Sequence, residues 1–131
     1  MRYVITPDIA VELAEREATL GAGVELVAPT LLRSEVLAQL YSRVRTGELD
    51  RRRADELLDA VRRFKIRLLG DRVLQAKAWG VAESLDWADT YRAEYVALTR
   101  LQADAFVTGD AELAAAAADL VTVASFDDLV A

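Results

Sequence analysis

The feature that most constrains the fold is a helical segment that leads into a short buried strand near the end of the chain. From Thr90 onwards, apolar residues recur at helical spacing, and residues 105–108 then have the length and composition of a buried strand. Gly109 and Asp110 turn the chain there and begin another helix. In open parallel sheets, ligands bind outside the carboxyl ends of the strands. Asp110 is therefore a candidate site residue.

The same alternation of apolar runs and helical segments continues through the whole chain. Apolar runs predict further strands at residues 2–6, 24–28, 65–69 and 120–124. Helical spacing predicts helices after the first strand, with Asp8 as the N-cap, and over residues 30–46, 51–63 and 71–85. Strands that alternate with helices predict an α/β fold. We expect one domain, residues 1–131, in which a parallel sheet of four to five strands has helices on both faces.

Composition excludes several classes of site. The chain of 131 residues has no histidine and no cysteine, which excludes Ser-His-Asp and Cys-His catalysis, histidine-ligated zinc and disulfides. Catalysis would therefore depend on carboxylates, arginine, lysine or hydroxyl groups. No apolar run reaches the roughly 18 residues of a membrane helix, and the N-terminal residues lack the apolar core of a signal peptide. We expect a cytoplasmic protein with no membrane partner.

The net charge of −6 is unevenly distributed. Residues 51–80 carry nine basic and four acidic side chains, a balance of +5, whereas residues 81–131 carry two basic and ten acidic, a balance of −8. The basic segment could guide a phosphate backbone towards an acidic pocket. It could equally be the solvated face of long helices.

Three carboxylates are predicted at one edge of the sheet. Asp8 follows the first strand, Glu35 lies in the first turns of the helix after the second strand, and Asp110 follows the strand at residues 105–108. Clustered carboxylates repel one another unless they share a cation, which suggests Mg²⁺ or Mn²⁺. Such an ion can activate water and stabilise a phosphodiester transition state. Each residue also has a structural explanation, as a helix cap, a dipole partner or a turn residue.

Four motifs distributed over essentially the whole chain carry a family resemblance. They are Tyr3-Val-Ile, Val27-Ala-Pro-Thr-Leu-Leu-Arg-Ser-Glu-Val-Leu, Tyr95-Val-Ala-Leu and Val107-Thr-Gly-Asp. In these motifs the chain resembles PIN domains, in particular the VapC-type ribonuclease toxins of bacterial toxin–antitoxin pairs. The resemblance implies a PIN-like domain with acidic residues that bind Mg²⁺, metal-dependent cleavage of RNA, a homodimer and a cognate antitoxin. Glu35 and Asp110 match acidic positions of the family.

Two positions depart from the family pattern. Thr6 stands where the family has its first aspartate, and Arg92 stands where it has its third. Asp8 is two residues beyond Thr6 and points the same way in extended backbone, so it is a displaced candidate ligand. Asp89 is three residues before Arg92 and lies on roughly the same helix face. Glu94 is closer to Arg92 in sequence but is expected to point elsewhere.

Two functions are consistent with these residues. The first is a VapC-like Mg²⁺-dependent ribonuclease in which Asp8, Glu35 and Asp110 are catalytic and bind metal. Asp89 is a fourth candidate metal ligand. The second is a catalytically degenerate PIN-fold protein that binds RNA or a partner protein. In that case we expect the Arg92 guanidinium to lie among the carboxylates and to close the pocket with bidentate hydrogen bonds.

Large apolar side chains predict a homodimer. The helices between residues 30 and 85 carry more apolar positions than one small sheet needs, and Tyr41, Trp79 and Trp87 have no obvious place within one subunit. A stable dimer would bury roughly 800 Å² or more on each subunit.

Overall fold

Four strands alternate with six α-helices in the computed structural model, which describes all 131 residues. The strands are β1 (Arg2–Ile5), β2 (Glu25–Pro29), β3 (Ile66–Leu69) and β4 (Ala105–Val107). The helices are α1 (Pro7–Glu15), α2 (Leu32–Arg45), α3 (Arg51–Arg63), α4 (Arg72–Ser84), α5 (Tyr91–Gln102) and α6 (Ala111–Ala117). A 3₁₀ helix, Phe126–Asp128, follows near the end of the chain. No helix has the length and apolar composition needed to cross a membrane.

The strands form one parallel sheet in the order β3-β2-β1-β4. Val4 of β1 pairs with Val27 of β2 on one side and with Phe106 of β4 on the other. Because both faces of such a sheet are covered, its strands are continuous apolar runs. Val4, Ile5, Phe106 and Val107 are accordingly inaccessible to solvent.

The helices cover both faces of the sheet, as predicted. The connections from β1 to β2 and from β2 to β3 step in one direction, so right-handed crossovers place α1, α2 and α3 on the same face. These three helices contact one another. The connection from β3 to β4 returns in the opposite direction and places α4 and α5 on the other face, where α5 packs on β1 and β2 and α4 packs on α5.

Aspartates begin three of the helices. Asp50 accepts a hydrogen bond from the backbone of Arg53 (2.8 Å) and Asp71 from the backbone of Leu74 (2.9 Å), and Asp110 caps α6 in the same way. Each bond satisfies an amide that has no partner inside the helix. These caps fix where the helices begin after each turn, and α3 has the bounds predicted from its sequence.

Residues 120–124 do not form the strand that we predicted. Only Val123 bridges to β4, opposite Phe106, with one hydrogen bond from Phe106 N–H to Thr122 and one from Ala124 N–H to Phe106, both 2.9 Å long. The physical reason is that β4 has three residues and offers Phe106 as the one available pairing position. The sheet therefore has four strands.

Candidate functional site

The candidate site lies where the strand order changes direction. Successive strands are added to one side of β1 until β3, whereas β4 is added to its other side. The connections therefore leave the carboxyl ends of β1 and β4 towards opposite faces, which opens a crevice between them. Asp8 follows β1 and Asp110 follows β4, so both predicted carboxylates border this crevice.

Asp8 bridges the two strands with both of its carboxylate oxygens. Oδ1 accepts a hydrogen bond from the hydroxyl of the buried Thr6, and Oδ2 accepts one from the backbone N–H of Gly109 at 2.7 Å. Thr6 also lies 3.2 Å from the hydroxyl of Thr108, across the same crevice. Asp8 is not the N-cap that we predicted, because Thr6 occupies that position and Pro7 begins α1. Its carboxylate nevertheless reaches the predicted edge of the sheet.

Gly109 makes this bridge possible. A Cβ atom at this position would collide with the Oδ2 atom of Asp8. Glycine therefore allows the backbone to approach the carboxylate closely. The local sequence indicates a turn at Gly109 but not this contact, because the partner lies 101 positions away in the chain.

Asp110 combines a structural role with a free acceptor. Its Oδ1 atom accepts hydrogen bonds from the backbones of Glu112 (3.0 Å) and Leu113 (3.1 Å) and so caps α6. Its Oδ2 atom accepts no hydrogen bond from the protein, and the residue is exposed. One oxygen of Asp110 therefore caps α6, and the other is available to a ligand.

Glu35 lies in the first turn of α2, as predicted, and is held by Tyr95 of α5. The Tyr95 hydroxyl donates a 2.5 Å hydrogen bond to Oε1 of Glu35. Burial raises the pKa of Glu35, while the bond from Tyr95 lowers it and the charge of Asp89 raises it further. Burial, the bond to Glu35 and the charges of Glu94 and Asp8 all raise the pKa of Tyr95, so its hydroxyl keeps its proton as a donor.

Glu94, which we expected to point elsewhere, lies on α5 beside Tyr95, the residue that binds Glu35. Burial raises the pKa of Glu94, and the charge of Glu35 raises it further, so the two carboxylates lie within electrostatic range of each other. We judged the direction of the Glu94 side chain relative to Arg92. The residue of α5 that faces α2 is Tyr95, the neighbour of Glu94. Asp89 is also close to Glu35 and accepts a 3.2 Å hydrogen bond from the backbone of Tyr91 at the start of α5.

Arg92 does not close the pocket, so this prediction is wrong. Its guanidinium carbon lies 4.6 Å from the centre of the Trp87 ring, in cation–π geometry, and it forms no ion pair with any carboxylate. Side chains in the first turn of a helix lean towards its N-terminus. Arg92 therefore leans towards Trp87, which precedes α5, and not towards the crevice.

The donor chemistry of the site suits a hard divalent cation held by few protein ligands. No three acidic side chains lie close enough together to form a ready-made metal cluster. Mg²⁺ in phosphate-transfer sites is commonly bound through one or two carboxylates, with water and substrate phosphate as the other ligands. Asp110 offers a free oxygen, and Glu35 offers the one that Tyr95 leaves free. Both oxygens of Asp8 already accept hydrogen bonds from the protein.

Two solved structures resemble the chain over almost its full length. The crystal structure of PAE2754 from Pyrobaculum aerophilum has a TM-score of 0.71 at 20% sequence identity, covering 97% of this chain and 93% of that one. The structure of VapBC-1 from nontypeable Haemophilus influenzae has a TM-score of 0.64 at 14% identity, covering 97% of this chain and 99% of that one. No family model matches the sequence, and no curated protein matches it. The similarity shows a shared fold and supports the PIN-like architecture expected from the sequence.

The contact between Asp8 and Gly109 predicts that stability depends on the glycine. Gly109→Ala should lower the free energy of unfolding by about 1 kcal/mol, because the new Cβ displaces the end of the Asp8 side chain and the hydrogen bond from the Gly109 N–H is lost. In an Asp8→Ala background the same substitution should cost much less. Chemical denaturation of the four proteins measures this coupling. Gly80→Ala is the matched control, since a Cβ there meets open space within α4. Equal costs in both backgrounds would contradict the proposed contact.

The raised pKa values of Glu35 and Glu94 predict a pH-dependent stability. The folded protein holds these protons more tightly than the unfolded chain, so stability should fall as pH rises from the ordinary glutamate pKa through the raised folded values. Glu35→Gln should remove part of this loss and raise the Tm at neutral pH, by a small amount because solvent screens the partly exposed carboxylate. Thermal melts from mildly acidic to neutral pH measure the effect. Glu83→Gln, at an exposed position, is the control. If Glu35→Gln changed the dependence of Tm on pH no more than this control does, the prediction would be contradicted.

Proposed function

We propose that this protein is a VapC-like, Mg²⁺-dependent ribonuclease that cleaves phosphodiester bonds at the crevice between β1 and β4. The main support is that Asp8, Glu35 and Asp110 follow the carboxyl ends of β1, β2 and β4, which are neighbouring strands at one edge of the sheet. The fold similarity to VapBC-1 gives this chemistry a suitable framework. Similarity at this level of identity supports the fold alone, so the residues must support the chemistry.

Each carboxylate has a separate task in this proposal. Asp110 and Glu35 would hold the ion through their free oxygens, with Asp89 and Glu94 adding negative charge nearby. A bound Mg²⁺ would activate water and neutralise charge on the scissile phosphate. Tyr95 orients Glu35, since its hydroxyl remains a donor. Asp8 fixes the distance between the ends of β1 and β4, because its oxygens are engaged by Thr6 and Gly109.

The partners follow from the same proposal. The substrate is RNA, and a cognate antitoxin is expected to restrain the activity, in line with the VapBC-1 neighbour. A homodimer would cover large apolar side chains that one subunit leaves open. Trp79 is 67% exposed and Tyr41 is 65% exposed. Trp87 is half-buried, because it packs against the core and Arg92 lies over its ring.

The second candidate is a catalytically degenerate PIN-fold protein that binds RNA or a partner protein. Two observations favour it: both oxygens of Asp8 already accept hydrogen bonds from the protein, and no three acidic side chains lie close together. The position of Arg92 gives it no support, because the arginine stacks on Trp87 outside the crevice.

Cleavage of RNA under defined metal conditions separates the two functions. The ribonuclease proposal expects Mg²⁺- or Mn²⁺-dependent cleavage that EDTA abolishes. Asp110→Asn should reduce the rate by ~10²-fold or more, as is typical for loss of a group that stabilises the transition state. Asparagine can still cap α6, so the variant should remain folded. Asp119→Asn, an exposed aspartate outside the site, is the matched control.

Two outcomes would contradict the ribonuclease proposal. One is RNA binding without cleavage at any metal concentration, which would favour the second function. The other is cleavage that persists unchanged in Asp110→Asn and in Glu35→Gln, which would indicate a contaminating nuclease or a different site.

A further inference from the structure

We propose that the free edge of β3 and the apolar groove beside it bind an extended segment of a partner protein in which apolar residues alternate with acidic ones. The groove lies at the β3 edge of the sheet, away from the crevice between β1 and β4, although the helix that carries Glu35, α2, forms one of its walls. The proposal does not depend on catalysis, and it would hold equally for a catalytically degenerate protein.

The first observation is an unpaired strand edge. β3 pairs with β2 alone, so its outer side has no strand neighbour. The backbone N–H of Thr30 donates to the carbonyl of Leu69 at 3.2 Å, which places the backbone of Leu69 on the β2 side. Consecutive residues of a strand direct their backbone groups to opposite sides, so the N–H and C=O of Leu68 face outwards. Such an edge is a template for one more strand.

The second observation is a groove that runs beside this edge. It has a volume of about 440 Å³ and lies between α2, α3 and β3. Ile66 and Leu68, which are two positions apart and half-buried, direct their side chains into it, and Leu37 of α2 is an exposed part of its lining. A strand paired with β3 would present every second side chain to this groove. Apolar residues at those positions would therefore be buried.

The third observation is the sign of the surrounding charge. Two arginines, Arg33 and Arg62, line the groove, and no carboxylate does. Arg62 is paired with Asp59 at 2.9 Å, so Arg33 is the lining cation that has no acidic partner. Lys65 and Arg67 alternate with the groove-lining residues of β3, and both are exposed and free of ion pairs. The remaining side chains of an added strand would meet these two cations, so acidic residues are complementary there. RNA would satisfy the cations but would leave both the apolar groove and the strand edge unpaired.

Selection from a random-peptide display library tests the proposal and needs no identified partner. The immobilised full-length protein is the target, and Leu37→Glu is used for counter-selection. Enriched peptides should alternate apolar and acidic residues. A synthetic copy should bind the wild type saturably and bind Leu37→Glu or Arg33→Glu about tenfold or more weakly, because a new carboxylate repels the peptide. In NMR spectra the peptide should slow exchange of the Leu68 amide proton.

Val73→Glu is the matched control, because Val73 is 56% exposed, close to the 55% of Leu37, and lies on α4 outside the groove. The Val73→Glu variant should bind the peptide with the affinity of the wild type. Several results would overturn the proposal: no enriched peptide that distinguishes wild type from Leu37→Glu, enriched peptides that are basic, or unchanged exchange at Leu68. An RNA oligonucleotide that binds this face in place of peptides would also overturn it. So would self-association in sedimentation velocity that Leu37→Glu abolishes, since a second copy would then occupy the groove.

Discussion

The hydrogen bonds that the Asp8 carboxylate accepts from Thr6 and Gly109 determine the geometry of the candidate site. They join the start of α1 to the turn after β4, across the place where the strand order changes direction. A crevice at that position is a general property of open parallel sheets. In this chain one carboxylate spans the crevice, and the absence of a side chain at position 109 leaves room for it.

The other side of the site depends on a compromise between burial and charge. Burial raises the pKa of both Glu35 and Glu94; the charge of Asp89 raises that of Glu35 further, and the charge of Glu35 raises that of Glu94. The Tyr95 hydroxyl is the neutral donor that stabilises the ionised Glu35. Such an arrangement lowers stability near neutral pH while keeping negative charge available for a cation. Functional sites commonly have this cost. It is therefore consistent with the proposed metal chemistry, and simple structural stabilisation does not account for it.

Sequence predicts the elements that periodicity controls. The helix at residues 51–63 and the buried strand after residue 104 are correct, because their apolar spacing and flanking turn residues leave little choice. The position of Glu35 in the first turn of α2 follows from the same patterns. The strand at residues 120–124 fails because pairing depends on the length of its neighbour, which local sequence does not contain.

The errors within the site involve the direction of side chains and contacts between distant residues. The place of Arg92 in a family motif assigns it to the crevice, yet the aromatic ring of Trp87 lies nearby and attracts the guanidinium. The position of Glu94 around the axis of α5 predicts that it points away from the site. The surface near Glu35, however, is formed by α2 and α5 together. Gly109 is recognisable as a turn but not as the partner of Asp8, because no local pattern links residues so far apart in sequence.

Paramagnetic broadening by Mn²⁺ in NMR spectra would show directly whether a cation binds at the crevice. With sub-stoichiometric Mn²⁺ we expect selective loss of the amide signals of Gly109, Asp110 and Glu35, and recovery of these signals in Asp110→Asn or on addition of excess Mg²⁺. Broadening confined to exposed acidic segments, such as Asp127 and Asp128, would contradict the metal site. So would broadening at the crevice that is identical in the wild type and in Asp110→Asn.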